Sequence, residues 1–328
     1  MTAALRALFV ASLAVTLAAA GFFARRLDAL GLRLGLPETL LGLLTALAAD
    51  APEVSSAVAA LVKGEHKTGV GVVVGSNVFN LAAMIGSTAL VSGLARLRRE
   101  ALAVEGAVAV AVLLATSALV VGWLPPTAAI AIIAVVVVPY VALLAAGPRG
   151  ADRLPRGGAF LHRMFGEEHR PIGHVPEHGE AILLPALVLL PALAIIVAGS
   201  ALMVEAAIRL ADRWSVPKYL VGVLVLAVLT SLPNAFTGVR LGVQQRGSAL
   251  LAETLNSNTI NLIAGIAIPA LLLSLGGFTG LVAFDLAWLI GMTVLVLALL
   301  TRRGAGRPDG MLLLALYAAF VAVQVAYR

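Results

Sequence analysis

The chain has 328 residues, of which 61% are hydrophobic, 12% are charged and none is cysteine. A soluble domain is usually about half apolar and a quarter charged, so this composition indicates an integral membrane protein. The apolar runs are about 20 residues long and do not alternate with polar positions, which favours α-helices over a β-barrel. The absence of cysteine excludes disulfides, thiolate metal sites and cysteine nucleophiles.

Ten apolar segments follow one another along the chain, and each is predicted to be a membrane-spanning helix. The N-terminal run has some features of a cleaved signal peptide, but the basic "FFARR" that follows favours a retained first helix. The one long hydrophilic connection, 147–180, is predicted to be a loop between two groups of five, 1–146 and 181–328. The segments are 5–24, 38–62, 68–94, 101–122, 125–146, 181–208, 217–241, 247–275, 277–300 and 309–326.

Basic residues are unevenly divided between the two sides that ten spans define. Sixteen of the 23 Lys and Arg residues fall on one side, which the positive-inside rule identifies as cytoplasmic. The central loop is then cytoplasmic and both termini face outward, so we expect a multi-pass protein of the cell (inner) membrane, surrounded by lipid. The basic loops are explained as topology signals, and the net charge of +6 therefore does not indicate nucleic-acid binding.

Two polar motifs recur 181 positions apart. "DAPEVSS" at 50–56 corresponds to "SLPNAFT" at 231–237, and "GSNVFNL" at 75–81 corresponds to "NSNTINL" at 256–262. With five spans in each half, the second half enters the membrane in the opposite orientation. The predicted fold is therefore an all-α membrane protein of ten helices, arranged as two inverted five-helix repeats.

Each pair of motifs lies on a predicted helical hairpin, at about 38–94 in the first half and 217–275 in the second. The prolines Pro52 and Pro233 lie in mid-membrane, where the missing N–H predicts a broken or kinked helix. A break frees carbonyl oxygens that lipid cannot satisfy but a cation can. For one proline alone a simple packing kink would be the better interpretation, whereas two related prolines beside polar residues indicate an ion site.

The polar residues around the two prolines are all hard oxygen donors. Asp50 and Glu53 are three positions apart and share a helix face, and a bilayer tolerates such a pair only where it binds a cation or protons. Oxygen donors of this kind suit Na⁺, Ca²⁺ or Mg²⁺. The predicted metal-binding residues are Asp50, Glu53, Ser76, Asn80, Thr230, Ser231, Asn234, Ser257, Asn261 and Glu253.

Polar residues beside this set receive other interpretations. Glu253 precedes Ser257 by one turn and is either a third ligand, a vestibule charge, or an interfacial glutamate that reaches water. Asn77 and Asn258 lie off the ligand face and are expected to join helices. Three further carboxylates lie near span ends and are interpreted as interfacial: Glu105, Glu205 and Asp285.

The central loop contains four of the five histidines. A cytoplasmic pH or metal sensor is one interpretation of these residues. Their spacing matches no defined metal motif, so a solvated linker is preferred. The histidines are His162, His169, His174 and His178.

On these motifs the chain resembles the calcium/cation antiporter superfamily, particularly the prokaryotic sodium/calcium exchangers, over nearly its whole length. The resemblance implies alternating access, in which the first and sixth spans slide across the remaining helices. It also implies central ion ligands at Glu53, Asn80, Asn234 and Asn261 and supporting ligands at Ser76, Thr230, Ser231 and Ser257.

The motifs also depart from the family pattern, in which "TSLPE" is usual in both repeats. Here the first repeat reads "ADAPE" and the second "TSLPN". Asn234 replaces the usual second-repeat glutamate, and Asn261 stands where an acidic residue is often found. Asp50 replaces a serine and Ala49 a threonine, so the negative charge is concentrated in the first repeat.

The leading functional hypothesis is a secondary antiporter that exchanges Ca²⁺, or a related cation, for Na⁺ or H⁺. The ions are substrates, and no cofactor is expected. Proton coupling is the main alternative, because Asn234 and Asn261 reduce the negative charge that several Na⁺ ions would need. A magnesium transporter or a passive cation channel would use the same donors. An intramembrane enzyme is disfavoured, because the chain lacks GxGD and HExxH motifs and its own motifs are duplicated.

Overall fold

The regular structure of the chain is helical, and the described residues form no strand. The four histidines of the central loop lie outside the part of the chain that is described. The computed structural model describes residues 2–34, 38–93, 99–151, 183–244, 247–275, 278, 280–302 and 304–327.

The described residues form a similar series of helices in each half of the chain. The first series is α1 (Thr2–Arg33), α2 (Glu38–Ala49), α3 (Ala51–Val62), α4 (His66–Val91), α5 (Arg99–Val121) and α6 (Pro126–Ala151). The second is α7 (Leu183–Trp214), α8 (Lys218–Thr230), α9 (Leu232–Val243), α10 (Gly247–Leu262), α11 (Leu281–Arg302) and α12 (Arg307–Ala326).

Seven helices within the described ranges are long and apolar enough to cross a membrane, namely α1, α4, α5, α6, α7, α11 and α12. The pair α8 and α9, bent by 47° at its break, makes an eighth if it is counted as one span. The length criterion thus does not reach the ten spans predicted from sequence. It does not count α2, α3 and α10, which have 12, 12 and 16 residues. The protein is an all-α membrane protein.

Two membrane segments are interrupted at positions 181 residues apart. Asp50 separates α2 from α3 with φ −79° and ψ −9°, and Ser231 separates α8 from α9 with φ −83° and ψ −1°. Each is followed after one residue by proline, Pro52 or Pro233. Because proline lacks the N–H and its ring clashes with the preceding turn, a regular helix cannot continue through these positions. Both predicted breaks are present.

Widened π-helical turns follow the polar motifs of both hairpins. One occupies Leu81–Gly86 within α4, directly after Asn80, and another occupies Ile263–Ala267, directly after α10. A third lies at Val221–Leu226 in α8. Such turns often occur at functional sites, because they displace the residues around them from the regular helical positions.

The central helix α4 is packed against α8 through backbone contacts. A Cβ atom at Gly75 would lie 2.3 Å from the carbonyl oxygen of Val223, and one at Gly222 would lie 2.6 Å from that of Thr68. Small residues permit this close approach of membrane helices. The helices that carry the two polar motifs are therefore held together without intervening side chains.

The long helices α1 and α7, which correspond to the predicted first and sixth spans, pack along each other. A Cβ at Gly199 would lie 2.3 Å from Thr16 Oγ1, so this contact too depends on a small residue. α7 also contacts α3, which begins at the first break. The pair α1 and α7 thus lies directly beside one of the broken segments.

Candidate cation-binding site

The two helix breaks meet inside the bundle and bring the polar residues of both halves together. Asn234 Nδ2, from the second break, donates hydrogen bonds to Asp50 Oδ1 at 2.7 Å and to Glu53 Oε1 at 3.2 Å, both from the first break. All three side chains are 0% exposed. Residues more than 180 positions apart in the sequence therefore form one buried site.

The helices α4 and α10 complete this site. Ser257 Oγ donates to Asp50 Oδ1 at 2.6 Å and accepts from Asn80 Nδ2 at 3.1 Å. Asn261 Nδ2 donates to Glu53 Oε2. Six of the predicted ligands consequently belong to a single hydrogen-bonded network, which we call the central network: Asp50, Glu53, Asn80, Asn234, Ser257 and Asn261.

Five oxygen atoms in and beside the central network are buried without a hydrogen-bond partner. An unsatisfied buried polar group costs about 1–3 kcal/mol, so five of them in one place indicate that a ligand satisfies them. Carboxylate, amide and hydroxyl oxygens are the ligands that Ca²⁺ and other hard cations take. The five atoms are Asp50 Oδ2, Asn80 Oδ1, Ser231 Oγ, Asn234 Oδ1 and Asn261 Oδ1.

The remaining predicted site residues are buried next to the network but are not part of it. Ser76 Oγ donates to the carbonyl oxygen of Ala227 at 3.4 Å, and Thr230 Oγ1 donates to that of Leu226 at 2.8 Å. Glu253 is 9% exposed, its Oε1 has no partner, and it lies within electrostatic reach of Asp50. The structure places Glu253 beside the central network, where it adds a third carboxylate.

Asn77 and Asn258 join the two hairpins and also orient two network residues. Each donates its side-chain amide to the backbone carbonyl of the other, at 3.0 and 3.1 Å. Asn77 Oδ1 accepts from Asn261 Nδ2 and Asn258 Oδ1 accepts from Asn80 Nδ2, both at 3.3 Å. These bonds fix the amide nitrogens and leave the oxygens of Asn80 and Asn261 free for a ligand. The sequence predicted the joining role but not the orienting one.

The central network contains two carboxyl groups, those of Asp50 and Glu53. Among the described residues, no Lys, Arg or His donates a hydrogen bond to Asp50 or Glu53. A carboxylate buried in a membrane without a compensating charge is costly, so either cations or protons must balance this pair.

The interpretation of Asp285 as an interfacial residue is wrong. Its side chain is 0% exposed and accepts hydrogen bonds from Gln324 Nε2 at 2.5 Å and from the Tyr219 hydroxyl. Glu205, by contrast, is partly exposed and forms ion pairs with Lys63 at 2.6 Å and Arg209 at 2.5 Å, as a water-accessible carboxylate should. The carboxylate of Asp285 therefore has a role that the sequence did not reveal.

Comparisons with known proteins agree with this architecture. The sequence model of the family described as sodium/calcium exchanger protein matches residues 5–146 and 184–326. The sodium-calcium exchanger NCX_Mj, soaked with 2.5 mM Na⁺ and 10 mM Sr²⁺, has a TM-score of 0.63 and 18% identity over 98% of this chain and 99% of its own. Native YfkE has a TM-score of 0.67 and 16% identity, over 96% and 91% of the two chains. A comparison with curated proteins finds no match.

The family match covers residues from both halves of the chain, and together they make up most of its length. At these identities the two solved structures establish a shared fold. The proteins of this family are transporters, so the chain is not an enzyme. It belongs to the sodium/calcium exchanger family of membrane antiporters.

Proposed function

We propose that this chain is a secondary active antiporter that exchanges Ca²⁺ for Na⁺ or H⁺ through alternating access to the central network. The observation that carries the proposal is the set of five partnerless buried oxygens around Asp50 and Glu53. Ca²⁺ takes about six to eight oxygen ligands. The five free oxygens and the carboxylate oxygens of Asp50 and Glu53 that accept hydrogen bonds together provide enough ligands for one Ca²⁺.

Charge balance supports exchange at a single site. Two ionised carboxylates are neutralised by one divalent cation or by two monovalent ones. The same site can therefore hold either kind of ion without leaving a large net charge in the membrane. Each ion then competes with the other, and this competition is the basis of exchange.

The proposed architecture is that of two inverted five-helix repeats, 1–146 and 181–328, with ten spans in all and both termini outside. The equivalent backbone angles at Asp50 and Ser231 and the reciprocal Asn77–Asn258 pair support this symmetry. Every residue of the central network is 0% exposed, so ions reach it only after a movement. We assign that movement to α1 and α7, which pack closely on each other beside α3.

The test is uptake of radiolabelled Ca²⁺ into vesicles that contain the wild type or the Glu53→Gln variant. Glutamine keeps hydrogen-bonding capacity at this position but removes the charge, so we expect uptake driven by a Na⁺ or pH gradient to be lost. Glu205→Gln is the matched control, since it removes the same charge from a partly exposed ion pair. Equal uptake by wild type and Glu53→Gln would refute the proposed site, and conductance without a counter-ion would favour a channel.

Coupling to protons is the second candidate, and the hydrogen bonds of Asn234 and Asn261 favour it. Both residues donate amide N–H groups to Asp50 or Glu53 and contribute no negative charge. The network therefore offers two carboxylates, which two protons neutralise as well as one Ca²⁺ does. Fewer Na⁺ ions can be balanced here than at a site with additional acidic residues.

The double variant Asp50→Ser with Asn234→Glu moves one carboxylate from the first break to the second and keeps the total charge. If protons drive the wild type, its Ca²⁺ uptake follows an imposed pH gradient. The double variant is then expected to respond more strongly to a Na⁺ gradient. An unchanged Na⁺ dependence would contradict this account. Each preparation is measured against both gradients, and its melting transition in detergent shows whether a loss of all uptake is due to misfolding.

A further inference from the structure

A second buried polar cluster lies apart from the central network, where α8, α11 and α12 meet. Asp285 on α11 accepts hydrogen bonds from Gln324 Nε2 on α12 at 2.5 Å and from the hydroxyl of Tyr219, near the start of α8. Asp285 and Gln324 are 0% exposed and Tyr219 is 9% exposed. We call these three residues the Asp285 cluster.

No positive charge balances Asp285 within the described residues. Its hydrogen-bond partners there are Tyr219 and Gln324, both neutral. Lys218 is next to Tyr219 but pairs with Glu65 at 2.6 Å. The ionisable residues on α4, α5 and α12, the helices that pack against α11, are His66, Lys67, Arg99, Glu100, Glu105, Arg307, Asp309 and Tyr317, and no hydrogen bond or ion pair of Asp285 involves them.

The partners of Asp285 suit the protonated acid as well as the carboxylate. The Gln324 amide donates through Nε2, while its Oε1 is buried and has no partner. If Asp285 gains a proton and the amide turns over, the new O–H donates to this oxygen. A tyrosine hydroxyl likewise donates or accepts. The free Oε1 is therefore the acceptor that the protonated state requires.

A metal ion fits this cluster poorly. Both oxygens of Asp285 already accept hydrogen bonds, and the described partners leave only Gln324 Oε1 and the Tyr219 oxygen as further ligands. Hard metal ions take about six or more oxygens. A proton needs a single oxygen, and it removes the charge whose burial in the membrane is costly.

We propose that Asp285 is a proton-binding site, separate from the central network, whose occupancy controls how firmly α8 is held to α11 and α12. The ring of Tyr219 lies against α4, because a Cβ at Gly71 would be 3.0 Å from Tyr219 Cε2. α8 ends at Thr230, beside the second helix break. A carboxylate holds the Tyr219 hydroxyl more strongly than a neutral acid does, so protonation loosens one end of a helix that leads to the ion site.

Infrared difference spectroscopy on the purified full-length protein in lipid vesicles tests the binding of the proton. The spectrum at acidic pH minus that at alkaline pH is expected to contain a carboxylic-acid C=O band that is lost in Asp285→Asn. The band should shift in Gln324→Leu, which removes the acceptor, and should remain in Asp50→Asn and Glu53→Gln. Spectra of Asp285→Asn and wild type that coincide would overturn the proposal.

Two further measurements keep the test decisive. If Asp285→Asn does not fold, Gln324→Leu and Tyr219→Phe replace it, and unchanged bands in both would overturn the assignment. For the control of α8, Ca²⁺ uptake is measured with the same pH on both sides of the vesicle membrane, over a series of such pH values. Uptake by Asp285→Asn is expected to persist but to change less with pH than uptake by the wild type. The same change with pH in both proteins would refute the coupling. Because Glu53→Gln should keep the Asp285 band while losing uptake, failure here is distinct from failure of the proposed antiport.

Discussion

The substitution Gly75→Ala is predicted to slow transport strongly while the protein still folds. The added Cβ would lie 2.3 Å from the carbonyl oxygen of Val223 and 2.9 Å from the Cβ of Ala227. The nearer contact is with backbone, so no side-chain rotation relieves it. Since unstrained contacts need roughly 3.5 Å, α4 and α8 must separate by about 1 Å. Overpacking of this kind costs about 1–3 kcal/mol, which lowers stability without preventing folding.

The displacement is passed directly to the central network. Ser76 follows Gly75 in the chain, and Asn80 lies little more than one turn further along α4. A misplacement of about 1 Å can cost a preorganised site roughly 100-fold in rate. We therefore expect Ca²⁺ uptake by Gly75→Ala vesicles to fall by about two orders of magnitude, with a lower but still cooperative melting transition in detergent.

The matched control is Gly291→Ala in α11. A Cβ at Gly291 would have no atom within 4 Å, so the same substitution in another membrane helix introduces no clash. Both variants are reconstituted at equal protein density and assayed with the same gradients. If Gly75→Ala transports Ca²⁺ as fast as Gly291→Ala, the close contact between α4 and α8 does not position the site and our reasoning is wrong.

Three other outcomes follow from the structure. Ca²⁺ at 100 times its dissociation constant should add about 2.7 kcal/mol to the free energy of unfolding of the wild type and so raise its melting temperature. A chelator should reverse this rise, and an equal rise in Glu53→Gln would contradict the assigned ligand. Asn258→Leu should lower both melting temperature and Ca²⁺ uptake, because it removes the side-chain bond that Asn258 donates to Asn77 and the one that it accepts from Asn80, each worth about 1 kcal/mol; full uptake would show that Asn80 needs no orientation. Lys63→Gln breaks a partly exposed ion pair with Glu205 that is worth at most about 1 kcal/mol, so the melting temperature should barely change. A large fall in melting temperature would show that this pair holds α3 to α7.

The sequence by itself determined the class of the protein and predicted the chemistry of its candidate site. Long apolar runs can satisfy their backbone groups in lipid only as helices. Pro52 and Pro233 predicted the two helix breaks, because a missing N–H acts locally. The repeat at a spacing of 181 residues predicted that the polar residues around both breaks belong together, and the central network connects six of them.

Only the tertiary structure decided which polar atoms are left without partners. The free oxygens of Asn80 and Asn261 depend on which way each amide is turned, and Asn258 and Asn77 fix this from the opposite hairpin. The burial of Asp285 is not visible in the local sequence, because its partners Tyr219 and Gln324 are 66 and 39 positions away. Burial and hydrogen bonding between distant segments arise from packing, which no local pattern of residues encodes.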